Sequence, residues 1–312
     1  MYILEPTSRE RIWGTARLHE YHGDHKIEKI GSVYSASGIA DIDCNVVNEE
    51  KTFGEMVAEN PQKFGLEAGE VYPLIISFTA CDENLSIQVH PTDEYAQSVE
   101  NLPYGKSEAW YFIDPPETGW IYAEQQDPRK SAILAAAKEN EYTKILKKYP
   151  VAEHDVIYIP SGTIHALTKG SLVYEIQQAT DITYRFYDYD RTDMRGQKRE
   201  LHVEKAIETL QPENQVERCS FALGDSICQR EFTIQHLKGK QIVENNSSIA
   251  SILTIIAGTI VIAGSTCNVG QSIVLLKDEM FELPETVEAV LATPIKYNYV
   301  IMDTINQGVG SL

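Results

Sequence analysis

Apolar and polar residues alternate with a period of two over most of this chain, in short runs closed by Gly, Pro, Asn and Asp. That rhythm predicts strands. The runs fall at 29–35, 71–79, 85–90, 107–113, 155–159, 172–178 and 183–187, then at 231–237, 249–256, 259–263, 272–276, 288–292 and 296–302. Many short strands at such spacing predict a mainly β sandwich or barrel. Three stretches carry helical spacing instead: 51–64, with Phe53, Met56 and Val57; 124–150, where DPRKSAILAAAKENEYTKILKKYP offers an N-cap at Asp127 and a proline at the first helical position; and 203–210. The polar segment QPENQVERC (211–219) interrupts the β pattern before it resumes. A junction there divides the chain into 1–215, holding the helical insertion, and 216–312.

The run IASILTIIAGTIVIAG (249–264) is β-branched and broken at Ala257-Gly258-Thr259. It falls short of the ~20 apolar residues of a membrane helix and reads as strand, turn, strand. At 312 residues the chain can bury substantial cores. Its formal charge of -19 argues against nucleic-acid or anionic-membrane partners, so an anionic ligand needs a locally basic pocket. Five widely spaced cysteines without a Cys-x-x-Cys pair fit a reducing, cytoplasmic setting, and MYILEPTSRERIW carries no apolar h-region.

Chemistry enters at LSIQVHP (85–91). Gln88 and His90 share one face of a strand, and Ile87 and Val89 share the other. Alone, this is an exposed polar face. In GKSEAWYFID (105–114), however, Glu108 leads a face continued by Trp110 and Phe112. An inward carboxylate is costly without a cation beside it. In VAEHDVIYIPSGTIHAL (151–167), a strand runs into the turn Pro160-Ser161-Gly162, and His165 follows, placed to point back into a barrel mouth. His90, Glu108 and His165 thus form a two-histidine, one-carboxylate set with Gln88 as a neutral fourth ligand. Such a set suits catalytic zinc, and also iron, manganese or nickel.

The ordered set QVHP, GKSEAWY, IPSGTIHAL and EIQQATDITYRFYDYDR resembles the type I mannose-6-phosphate isomerases of the cupin superfamily, in their short bacterial form, over most of residues 5–210. The resemblance implies two double-stranded β-helix (cupin) domains, the second without a metal. It implies one Zn2+ per chain held by Gln88, His90, Glu108 and His165, and catalytic or substrate-binding roles for Lys106, Asp181 and Arg185. It implies interconversion of mannose 6-phosphate and fructose 6-phosphate, a small-molecule phosphosugar substrate. The enediolate of such a reaction needs a Lewis acid and nearby cations. Alternation puts Arg185 with Tyr187 and Tyr189, and Lys106 with Glu108. Glu175 is a spare carboxylate, a candidate acid or base.

Two positions depart from that pattern. The family places a lysine where Ser77 stands, and Gly-Glu-x-Trp where this chain reads Gly31-Ser32-Val33-Tyr34. These motivate a rival reading as a degenerate cupin that senses a sugar or phosphosugar, and a metal-dependent oxygenase is a third. His19, His22 and His25 read as a solvated charged surface, Lys144, Lys147 and Lys148 as a solvated helical face, and Cys81 as packing.

Overall fold

A computed structural model describes residues 1–139, 141–193, 196–262 and 264–296. Its sheets are antiparallel throughout and most of its elements are strands, the mainly β architecture that the period-two rhythm predicts. Seven strands form one sheet in the order Glu217–Ser220, Asp155–Ile159, Glu108–Asp114, Leu172–Gln178, Leu74–Ala80, Ile30–Ala36, Thr7–Thr15. Facing it is a five-stranded sheet: Tyr184–Tyr187, Ile87–Val89, His165–Ala166, Trp120–Gln125, Leu146–Pro150. Together they make the first barrel.

The strand Glu108–Asp114 shows how alternation builds it. Trp110 and Phe112 point into the barrel with Ile121, Ile157 and Val173. Ala109 and Tyr111 face the other way, into a core shared with Phe232, Ile252 and Val274 of the C-terminal half. Both faces are therefore buried, each large side chain contributing about 1.5–3 kcal/mol.

A second seven-stranded sheet runs Ser226–Cys228, Phe232–Lys238, Glu288–Pro294, Ser251–Ala257, Ser272–Leu275, Tyr2–Glu5, Asn45–Val46. The two halves trade strands across residue 215: Tyr2–Glu5 and Asn45–Val46 pair into the C-terminal sheet, and Glu217–Ser220 pairs with Asp155–Ile159. At 249–264 the chain forms a strand, a turn with Gly258 at φ 82, and a second strand Ile260–Ile262. The run expected at 296–302 lies, beyond Lys296, outside the described residues.

The helical insertion is shorter than the spacing suggests. Helix Lys130–Lys138 has Arg129 at its N-cap position without a side-chain cap, Asp127 Oδ1 accepting from Arg129 N–H just before it, and a turn at Tyr142–Lys144 leads into the strand Leu146–Pro150. Pairing to Trp120–Gln125 overrides the helical propensity of KILKKYP. Lys147 and Lys148 consequently lie on a strand, Lys147 paired with Glu124 at 2.7 Å and Lys148 over the Trp120 ring. Helices Phe53–Glu59 and Val203–Thr209 form where expected, the first with a Thr52/Glu55 capping box.

Candidate metal centre

Three segments meet at one end of the first barrel, and backbone hydrogen bonds tie them together. Lys106 N–H donates to Pro91 O, and Gly162 N–H to His90 O. Glycine is needed at both closures. A Cβ at Gly105 would stand 2.4 Å from Pro91 O, and Gly162 has φ 82 with Thr209 O and Gln211 Cγ inside 3.0 Å of its missing Cβ. The turn Pro160-Ser161-Gly162 thereby delivers His165 to the register position opposite Gln88, while Glu108 opens the strand of the facing sheet.

His90, Glu108 and His165 offer ligand atoms that all lie within 4.8 Å of one another, and all three side chains are buried. His90 Nε2 is 3.4 Å from Glu108 Oε2, and His165 Nε2 is 3.3 Å from Oε1. Gln88 adds its terminal amide 3.4 Å from His165 Nε2. The other ring nitrogens settle the tautomers: His90 Nδ1 lies 2.8 Å from Ile182 O and His165 Nδ1 2.8 Å from Thr163 O, contacts that require N–H at Nδ1. Both Nε2 lone pairs are left facing the carboxylate, the arrangement of a metal-binding histidine.

Electrostatics agree with the geometry. Burial and then the Lys106 charge push His90 down, and burial takes His165 down to about 3, so both rings are neutral near pH 7. Burial alone would raise Glu108, but Lys106, His90 and His165 hold it well below the usual carboxylate range. Neither of its oxygens has a hydrogen-bond donor in good geometry, although Lys106 Nζ sits 3.1 Å from Oε2 and 3.2 Å from His90 Nε2. A buried carboxylate without hydrogen bonds, flanked by two imidazole lone pairs, fits a divalent cation.

Beside the cluster opens a cavity of about 420 Å³, within the range of small-molecule sites. Gln88, Lys106, Asp181 and Arg185 line it, so the expected site residues converge. Arg185 sits directly across from Gln88 in the strand register. Its guanidinium has no hydrogen-bond or ion-pair partner among the described residues, and its Nε is buried.

Glu175 lies on the same wall, accepting from Thr79 Oγ1 (2.8 Å), Ser77 Oγ (3.1 Å) and Trp110 Nε1 (3.2 Å). Burial and then Glu108 raise its pKa. The side chain keeps partial access through the cavity although its electrostatic surroundings are interior ones. Ser77 thus has a partner here, the carboxylate itself. Sequence reasoning missed Arg11, Arg199, His202 and Lys205, which also line the cavity. Three of them fall in QKRELHVEK, where Glu200 and Glu204 interrupt the basic residues at the start of a short helix.

The histidines at 19, 22 and 25 line one surface cavity but form no metal-ligand group among the described residues. His22 pairs with Glu5, His19 bonds Ile27 O, and the His19 and His25 rings lie 4.5 Å apart. Cys81 is buried, donates to Thr168 O and is pushed up to about 12 by burial.

No family model matches the chain. A probable mannose-6-phosphate isomerase of Bacillus subtilis strain 168, GmuF, is 38% identical over 213 residues, 67% of each chain. The crystal structure of the mannose 6-phosphate isomerase from Bacillus subtilis superposes with a TM-score of 0.75 at 28% identity, covering 94% of this chain and 99% of the other. A crystal structure of mannose 6-phosphate isomerase bound with zinc and yttrium shares the fold, with a TM-score of 0.68 at 11% identity over 95% and 100% of the two chains.

Proposed function

The chain belongs to the mannose-6-phosphate isomerase family, and from that premise we propose that it interconverts mannose 6-phosphate and fructose 6-phosphate with one Zn2+ per chain. Residues 1–215 are the catalytic cupin unit and 216–312 a unit without a metal, each lending strands to the other's sheet. His90, Glu108 and His165 would hold the ion, with Gln88 as the neutral fourth ligand. When bound, the ion supplies Lewis-acid stabilisation of the negative charge that develops on the sugar's oxygens.

The remaining steps fall to side chains around the cavity. Arg185, with a planar fork and no acceptor for its guanidinium among the described residues, engages substrate oxygens. Lys106 carries a proton whose affinity burial would lower but which Glu108, Glu175 and Asp181 raise, so it stays an ammonium and donates to developing oxyanion charge. Glu175, raised toward neutrality, is suited to moving a proton between the two adjacent carbons. Asp181, exposed at the cavity rim, orients sugar hydroxyls.

The observation that carries this reading is the convergence of His90, Glu108 and His165 beside a cavity lined by arginines and lysines in a chain of charge -19. The test is a coupled isomerase assay on zinc-loaded protein with and without chelator. Turnover lost on chelation and restored by Zn2+ supports the reading. Absence of turnover with phosphosugar binding retained would favour a sensor, which the isomerase relatives do not support.

A further inference from the structure

One wall of the cavity is more basic than the reaction's carbon chemistry requires. Arg185, Arg199, His202 and Lys205 line it together, Arg185 from the strand across from Gln88 and the others from the segment at 199–205. Lys205 is already paired with Glu100 at 2.7 Å, and Glu100 also accepts from Tyr184. The Arg185 guanidinium has no partner among the described residues. Arg199 is held by the buried carboxylate of Asp188 through two parallel bonds, Nε to Oδ2 at 2.7 Å and Nη2 to Oδ1 at 2.5 Å, which leaves Nη1 unengaged among the described residues.

The same Asp188 carboxylate takes Arg191 Nη2 at 2.6 Å, and Arg191 reaches on to the backbone oxygen of Asn84 at 2.6 Å. Asn84 lies just before the strand that carries Gln88. Asp188 is 4% exposed and so clamps two arginines to the barrel without itself lining the cavity. Both arginines line the same cavity, and His202, three residues past Arg199, donates its backbone N–H to Arg185 O at 2.8 Å, which brings the two segments side by side; burial and then the Arg199 charge lower the proton affinity of Arg185, while Asp188 and Asp181 oppose that. Like charges so placed repel unless an anion lies between them, and two planar forks match a tetrahedral oxyanion better than a single ammonium does.

We propose that Arg199 is the second arm of a phosphate clamp whose first arm is Arg185, and that Asp188 is the positioning residue that sets Arg199 through its two parallel bonds. This rests on the phosphosugar reading above. It adds the residues that fix the substrate's phosphate end and the carboxylate that orients them.

The test is titration of the zinc-loaded full chain with inorganic phosphate by calorimetry, run beside steady-state kinetics with mannose 6-phosphate. Arg199→Gln is expected to weaken phosphate binding and raise KM together by roughly ten- to a hundredfold, the range for one charge-assisted hydrogen bond, with kcat changed far less. Asp188→Asn keeps shape but loses charge. It should shift both constants in the same direction by a smaller factor and leave zinc content unchanged, and Asp188→Glu should recover part of the loss. Should Asp188→Asn not fold, Arg199→Lys, which keeps the charge and loses the fork, carries the test and should fall between wild type and Arg199→Gln. Phosphate affinity unchanged in Arg199→Gln overturns the clamp. A drop in kcat without a change in KM or phosphate affinity overturns the positioning role. If wild type binds phosphate through Arg199 yet never isomerises mannose 6-phosphate, the clamp stands and the isomerase reading fails.

Discussion

Replacing Glu175 by glutamine separates proton transfer from packing. The amide has nearly the same volume, and Trp110 Nε1–H can still donate to a carbonyl at the Oε1 position. Ser77 and Thr79 face the other oxygen, and a hydroxyl accepts from an NH2 as readily as it donates to a carboxylate, so no buried donor is stranded. The expected stability loss is therefore below about 1 kcal/mol. Glu175 does not touch the candidate ligands, so zinc content should match wild type. Turnover should fall by roughly a hundred- to ten-thousandfold, the contribution of a positioned general base, equivalent to about 2.7–5.4 kcal/mol in the barrier. The pH dependence gives a second reading. As a base Glu175 must be ionised, so kcat/KM falls as pH drops through its pKa; because burial and Glu108 raise that value, the acid limb lies above 4.5 in wild type and is missing from the residual activity of Glu175→Gln. Turnover within about threefold of wild type, in protein with full zinc, would refute the role, since such a base is worth at least about a hundredfold.

His165→Ala removes one of three converging ligands, and metal analysis after dialysis should find the site depleted; Arg185→Ala should keep the metal and lose turnover, and equal zinc content in both variants would contradict the assignment. Ser77→Lys brings an ammonium to within about 4–6 Å of Glu175, whose carboxylate the Ser77 hydroxyl now meets at 3.1 Å. An opposite charge at that distance lowers a carboxylate's pKa by roughly 1–3 units, so the acid limb of kcat/KM should move to lower pH, and an unmoved limb would argue that Glu175 is not the titrating group. Burial alone would raise Asp188, but its hydrogen bonds to Arg199 and Arg191 lower it below 3.8. Its contribution to stability is then fully present above the unfolded value of about 3.9 and fades as pH falls through the lower folded value. The Tm gap between wild type and Asp188→Asn should thus be open near pH 7, begin to narrow below about pH 4 and close below the folded value; a gap independent of pH would show that packing, not charge, is lost.

Period-two alternation located seven of the twelve described strands of the first barrel, those that place bulky residues on one or both buried faces, as Trp110 and Phe112 do opposite Tyr111. It missed Thr7–Thr15, Trp120–Gln125 and Glu217–Ser220, and also Tyr2–Glu5, whose partner Ser272–Leu275 lies more than two hundred residues away, and Asn45–Val46, which joins the C-terminal sheet through Tyr2–Glu5; local pattern does not encode such pairings. The KILKKYP segment failed for the reverse reason: its local propensity was helical, and an edge position on the five-stranded sheet outweighed it. The ligand cluster was legible because a histidine after a proline-glycine turn and a carboxylate at a strand start are fixed by local geometry. Arg199 and Asp188 were not, because their value depends on a hydrogen-bond network closed only in three dimensions.

Lys106 faces two demands that the cavity reconciles. Its ammonium stands 3.1 Å from Glu108 Oε2 and 3.2 Å from His90 Nε2, and a buried carboxylate with no such neighbour would be driven to protonate. The same charge opposes any divalent cation brought to those atoms, since a unit and a double positive charge a few ångströms apart repel by several kcal/mol even at an effective dielectric of about 20. Glu175 and Asp181 lower that cost, for they face the same ammonium from the cavity side and raise its proton affinity. A lysine with carboxylates on both sides can yield toward the cavity and remain charged, which delivers its proton to the place where substrate oxygens lie. Ser77 and Ser32, both buried polar residues linked through Thr79, leave Glu175 and Asp181 as the groups that draw it there.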